Sequence, residues 1–181
     1  MEKTEKGRIK LSVAAWHEMR SLGESFPLCT TVSGVSMYPL IRRDRDVVVI
    51  THVKRPLVRG DIVLFHDPAR DRYVLHRLWR LAPDRVLTWG DNCVYPDGWM
   101  CPEMVWGIAA AMKRGKRTVR FDTDAARRCG LLFAKARHPY CRIRSKVCRL
   151  ASRLPFPIKA ALKKARNFMR RTKVCECEST H

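Results

Sequence analysis

No stretch of this chain is apolar for long enough to cross a membrane. A spanning helix needs ~20 such residues, and the longest run here, Met104 to Met112, is short and contains Gly107. The start, Met1-Glu2-Lys3-Thr4-Glu5-Lys6, leads into no apolar segment, so no export signal is expected. Paired Cys-x-x-Cys motifs are absent although there are eight cysteines. Without export, reduced thiols are the expectation. Cys175-x-Cys177 with His181 falls short of four good metal ligands, so neither a metal nor a cofactor is expected. Lysine is almost missing from a long interior span: between Lys10 and Lys113 only Lys54 occurs, in the polar turn Lys54-Arg55-Pro56.

Acidic side chains are also scarce, 17 against 37 Lys and Arg, for a formal net charge of +20. The imbalance is local. Residues 1–110 hold 16 basic and 13 acidic side chains, whereas residues 111–174 hold 21 basic ones and only Asp122 and Asp124. A near-neutral globular part is thus joined to a strongly basic tail. In that tail Lys and Arg alternate with Leu, Ile, Phe and Met at helical spacing, which suits a helix on an anionic membrane surface through residues 122–174. A solvated tail is the plain alternative. Nucleic acid is a weaker partner, because aromatics are sparse there and no DNA-reading motif is present.

What is present divides into three segments. Residues 1–28 hold an amphipathic helix over Gly7 to Leu22, with Ile9, Val13, Trp16, Met19 and Leu22 stepping by three or four. Residues 29–121 alternate short apolar runs with turns: Leu28 to Val35, Val47 to Ile50, Asp61 to Phe65, Tyr73 to Leu81, Arg85 to Trp89, Met104 to Met112 and Thr118 to Phe121. Residues 122–181 return to helix, with Ile143, Val147, Leu150 and Leu154 on one face. Pro155 and Pro157 break it, and a second helix follows through Ile158, Leu162, Ala165 and Met169. The expected class is mainly β with flanking helices, an antiparallel β core.

Within the β segment, Ser33-Gly34-Val35-Ser36-Met37-Tyr38-Pro39 presents a serine on a loop that Gly34 leaves open and Pro39 restrains. A serine hydroxyl needs a base to become a nucleophile. Arginine cannot serve, since it does not deprotonate in proteins. With Lys54 remote in its turn, histidine remains. His76 lies on the Tyr73–Leu81 strand, sharing a face with Val74 and Leu78, so a half-buried sheet histidine is the competing reading. His17, His52 and His66 read more simply as helix or strand-end residues.

The ordered blocks Ser36-Met37-Tyr38-Pro39, Gly60-Asp61-Ile62-Val63-Leu64-Phe65, Val74-Leu75-His76-Arg77 and Gly90-Asp91-Asn92 with Asp97 resemble the type I signal peptidases and the related LexA-like self-cleaving proteases. The resemblance covers about Thr31 to Gly107. It implies a signal-peptidase-like fold and a serine endopeptidase that cuts a leader or signal-like peptide through an acyl-enzyme. Ser36 would be the nucleophile and His76 the general base. Histidine stands where most bacterial members carry lysine, as in the endoplasmic-reticulum and archaeal type. Asp97 would orient His76 and Asp91 would support it. Gly34, Met37 and Pro39 would shape the substrate and oxyanion side. Gly34 stands where many members have a serine donor, so the oxyanion hole would rest on backbone N–H groups, that of Ser36 first. The implied location is cytoplasmic, at most peripheral on the inner membrane face. A LexA-like self-cleaving regulator and a non-catalytic peptide-binding module are the alternatives. Against the regulator, only about thirty residues precede the serine block, and the lysine base is missing.

Overall fold

The computed structural model describes residues 12–19 and 26–152. The outer parts of the expected first helix, the expected helix over Ile158–Met169, and Cys175, Cys177 and His181 lie outside the described residues.

Eight antiparallel strands form one sheet in the order β1-β2-β7-β3-β4-β5-β6, with β8 paired to β7. The strands are β1 (Leu28–Thr31), β2 (Val47–His52), β3 (Ile62–Asp67), β4 (Arg72–Leu81), β5 (Val86–Trp89), β6 (Gly98–Met100), β7 (Val105–Arg114) and β8 (Arg117–Arg120). Two helices flank them, α1 (Val13–Met19) and α2 (Asp124–Ser152). The mainly β class with flanking helices is therefore the observed one. Strand β6 has no counterpart in the apolar pattern, since Gly98-Trp99-Met100 is short and its first two residues are exposed.

The apolar run of β3 explains itself through two cores. Alternate side chains of a strand point to opposite faces. Ile62 and Leu64 join Trp16, Leu28, Met37, Ile41, Val48, Ile50, Leu75, Ala109, Met112 and Phe121. Val63 and Phe65 join Val74, Leu78, Val86, Val105 and Ile108 on the other side. Both faces of β3 are dry, so no polar alternation survives in its sequence. Strand β7 is long because it serves two neighbours along one edge: Val105 to Ile108 pair with β3, and Ala111 to Arg114 pair with β8.

Helix α1 is capped by Ser12, whose Oγ accepts from Ala15 N at 3.1 Å. Its Trp16 is fully buried, donates Nε1–H to Phe26 O at 2.9 Å, and stacks on His52 at 3.9 Å. Helix α2 is capped by Thr123, whose Oγ1 accepts from Ala126 N at 3.2 Å. Packing divides the described residues into two compact units, with the division between Pro139 and Tyr140. The first unit thus extends past the expected boundary at 121 and takes in the start of α2.

Two features tie that start to the sheet. Arg127 Nε–H donates to buried Asp61 at 2.7 Å. Asp61 also accepts from Arg55, through Nη1 at 2.9 Å and Nη2 at 2.7 Å, and from Val58 N at 2.9 Å. Burial raises the pKa of Asp61, but these donors outweigh it and hold the carboxyl below its ordinary 3.8. Gly60 supplies the second feature. Its φ is +99°, and a Cβ there would stand 3.0 Å from the Arg127 carbonyl, so only glycine lets α2 approach. The Gly60-Asp61 pair is therefore the seat of α2.

Candidate active site

His76 sits in the middle of β4, opposite Val63 of β3. It is 4 % exposed, with the Phe65 ring edge-on at 6.2 Å. Its Nδ1–H donates to Asp97 Oδ2 at 2.6 Å. A carboxylate can only accept, so this bond fixes the tautomer and leaves Nε2 as the basic nitrogen. Asp97 is held in turn by Thr88: Thr88 Oγ1–H donates to Oδ2 at 2.8 Å, and Asp97 N donates to Thr88 O at 3.0 Å. Thr88 faces Leu78 across β4–β5, which brings the carboxylate alongside the histidine strand. The expected orienting acid is in contact with the expected base.

Asp91 does something else. It is fully buried and accepts from Arg77, through Nε at 2.9 Å and Nη2 at 2.7 Å. Arg77 also donates Nη1–H to Gly60 O at 3.1 Å. A two-pronged guanidinium–carboxylate pair is the geometry that makes such burial tolerable. Asp91 touches Arg77, the residue after His76, and so braces the strand. It forms no bond to the imidazole.

The rest of the Gly90-Asp91-Asn92-Cys93 turn explains its own residues. A Cβ at Gly90 would lie 2.8 Å from His76 Nε2 and 2.7 Å from Cys93 Sγ, so the imidazole can approach only because the side chain is missing. Asn92 latches the serine loop: its N–H donates to Ser36 O at 2.6 Å and its Nδ2–H to Val35 O at 3.0 Å. Arg137 on α2 donates to Asn92 Oδ1 at 3.1 Å. His138 stacks on Trp89 at 3.6 Å, with its Nε2 3.3 Å from Gly90 O. One turn therefore contacts the Ser36 loop, the imidazole and α2.

Ser36 is half-buried on the loop following β1. The loop is pinned from below by Met37, buried in the core, and closed by Tyr38 N–H to Val35 O at 3.1 Å and Ile41 N–H to Met37 O at 2.9 Å. Met37 thus anchors the loop, and only its backbone remains for a substrate. Pro39 follows a cis peptide bond and is half-buried. Gly34 is exposed, and a Cβ there would meet nothing within 4 Å, so the approach to Ser36 on that side is open.

Cys93 is the residue that sequence reasoning missed. Its Sγ and His76 Nε2 converge on Gly90, 2.7 Å and 2.8 Å from where a Cβ there would stand. Ser36 Oγ makes no hydrogen bond to His76 here; Cys93 Sγ is the side-chain atom that shares the Gly90 gap with Nε2. Burial lowers the basicity of His76, but the bonded Asp97 carboxylate and the electron-rich Cys93 sulfur near the ring outweigh it and raise the pKa from 6.5 to about 9. The three histidines that compete with it are engaged elsewhere: His52 with Trp16, His17 stacked on Trp106 at 3.8 Å, and His66 with Asp71 at 3.1 Å.

No family model matches the chain, and no curated protein matches it either.

Proposed function

We propose that the chain is a serine endopeptidase resembling the signal peptidases, with Ser36 as nucleophile, His76 as general base and Asp97 as its orienting acid. The observation that carries this reading is the 2.6 Å bond from His76 Nδ1 to Asp97 Oδ2, which leaves Nε2 on the turn that also grips the Ser36 carbonyl. Ser36 Oγ attacks the scissile carbonyl while its proton passes to Nε2, and the imidazolium returns that proton to the leaving amine. Water, activated the same way, then releases the acyl group. An extended peptide is the natural substrate. Strand β1 lies at one end of the sheet order, and Ser36 follows its last residue by five positions. A peptide added along β1 would be led to the serine.

A specific contact favours a second reading. Cys93 Sγ and His76 Nε2 converge on Gly90, and a thiol beside a His–Asp pair is the arrangement of a cysteine nucleophile. A fluorophosphonate probe on the full chain separates the two. The serine reading expects a phosphonyl adduct at residue 36, lost in Ser36→Ala, strongly slowed in His76→Gln and retained in Cys93→Ser. Peptide cleavage that survives Ser36→Ala and vanishes in Cys93→Ser would transfer the nucleophile to Cys93. Neither labelling nor cleavage under any condition would leave a peptide-binding module.

A further inference from the structure

The last third of α2 carries an exposed apolar row that contributes nothing to a core. Ile143 is 62 %, Val147 56 % and Leu150 65 % exposed, and Tyr140 continues the row at 52 %. At about 100° per residue, Ile143, Val147 and Leu150 fall within an arc of about 60°. Basic side chains border the row on both sides, Arg144 along one edge and Lys146 along the other, with Arg149 behind Lys146. Residues 140–174 contain twelve Lys and Arg and no Asp or Glu.

From this pattern we infer that the 140–152 segment of α2 docks flat on an anionic lipid surface, with Ile143, Val147 and Leu150 at the acyl boundary and Arg144, Lys146 and Arg149 at the phosphates. An apolar row between two cationic borders matches a surface that is apolar below and negative above. Nucleic acid would leave the three apolar side chains exposed. A second copy of this chain would bring the cationic borders of both helices together, which opposes pairing. The stems of Lys and Arg can lie along the row while their heads reach headgroup oxygens.

The test uses the full chain with extruded vesicles, either phosphatidylcholine alone or phosphatidylcholine with about one-third phosphatidylserine, read by co-sedimentation. Binding is expected only with phosphatidylserine. Removal of each cation should weaken it about fivefold, so Lys146→Gln with Arg149→Gln should give about a thirtyfold loss. Ile143→Ser and Val147→Ser sit at exposed positions, and thermal melts should show both variants folded. Each should weaken binding several-fold at fixed charge. Equal pelleting with both vesicle types, or none with either, overturns the proposal. So does binding that tolerates both serine variants, since charge alone would then account for it. A concentration-dependent dimer in sedimentation velocity that Val147→Ser abolishes would assign the row to a second copy and also overturn it. None of these readouts depends on peptidase activity.

Discussion

Replacing Asp97 with asparagine removes one charge and little volume, and so isolates what the carboxylate does to His76. The imidazole titrates at about 9 in the folded chain against an ordinary 6.5. That difference corresponds to about 3 kcal/mol in favour of the imidazolium, at 1.36 kcal/mol for each pH unit. The sign follows from proton binding. A group with a raised folded pKa stabilises the fold fully below its unfolded value, and loses that contribution as pH rises through the folded one. Wild-type stability should therefore fall by about 3 kcal/mol between pH 6.5 and 9, beyond whatever His76→Gln loses over the same window. In Asp97→Asn, burial is opposed only by Cys93, so the His76 pKa should drop to near or below 6.5 and the alkaline loss should shrink to a small fraction. Urea unfolding at half-unit pH steps, with the His76 Cε1 resonance followed by NMR, measures both quantities. Catalysis should show the same group. With a base at about 9, only about one molecule in a hundred carries free imidazole at pH 7, so kcat/KM should rise about tenfold per pH unit before levelling near 9. In Asp97→Asn the rising limb should move to lower pH, and the plateau should fall by about 10²–10⁴. Identical pH profiles for wild type and Asp97→Asn, in stability and in rate, would refute the reasoning.

Three further substitutions address the turn and its brace. Gly90→Ala would place a methyl within 2.8 Å of His76 Nε2 and 2.7 Å of Cys93 Sγ; it should cost about 1–3 kcal/mol in thermal melts and at least a hundredfold in turnover. Arg77→Met leaves a fully buried Asp91 without its guanidinium, and should destabilise the fold by about 3–5 kcal/mol in urea titration. Asn92→Ala removes the side-chain bond to Val35 O while keeping the backbone bond to Ser36 O. Its cost should be about 1 kcal/mol of stability, and phosphonate labelling at residue 36 should slow several-fold more than that implies.

Much of the strand order was legible because apolar runs bounded by Gly, Pro and Asp are local signals. The runs at Val47, Asp61, Tyr73, Arg85, Met104 and Thr118 each overlap an observed strand. The contact between His76 and Asp97 was reached through the ordered blocks, not through periodicity, because twenty-one residues separate the two side chains. What stayed hidden was tertiary. Cys93 gives no local hint that it will meet Nε2, since the meeting depends on the missing side chain at Gly90. Asp91, read as an aid to the base, is drawn off by Arg77, whose burial no sequence window reveals. The start of α2 reads as part of a basic tail, because Arg128, Lys135 and Arg137 obscure that Arg127, Ala134 and His138 are buried. Strand β6 is exposed and short, and pairing with β5 alone makes it a strand.

Gly130 lies where α2 crosses the Arg77 guanidinium, and a Cβ there would come within 2.7 Å of Arg77 Cζ. The first four turns of α2 are therefore a splint moulded to the back of the histidine strand, with no slack for even one methyl group. A fragment trimmed after the last strand would open the Arg77–Asp91 pair to water and release Asn92 from Arg137, loosening the turn that carries Cys93. The shortest piece of this chain able to keep its imidazole in place must run to Pro139, well into the positively charged sequence.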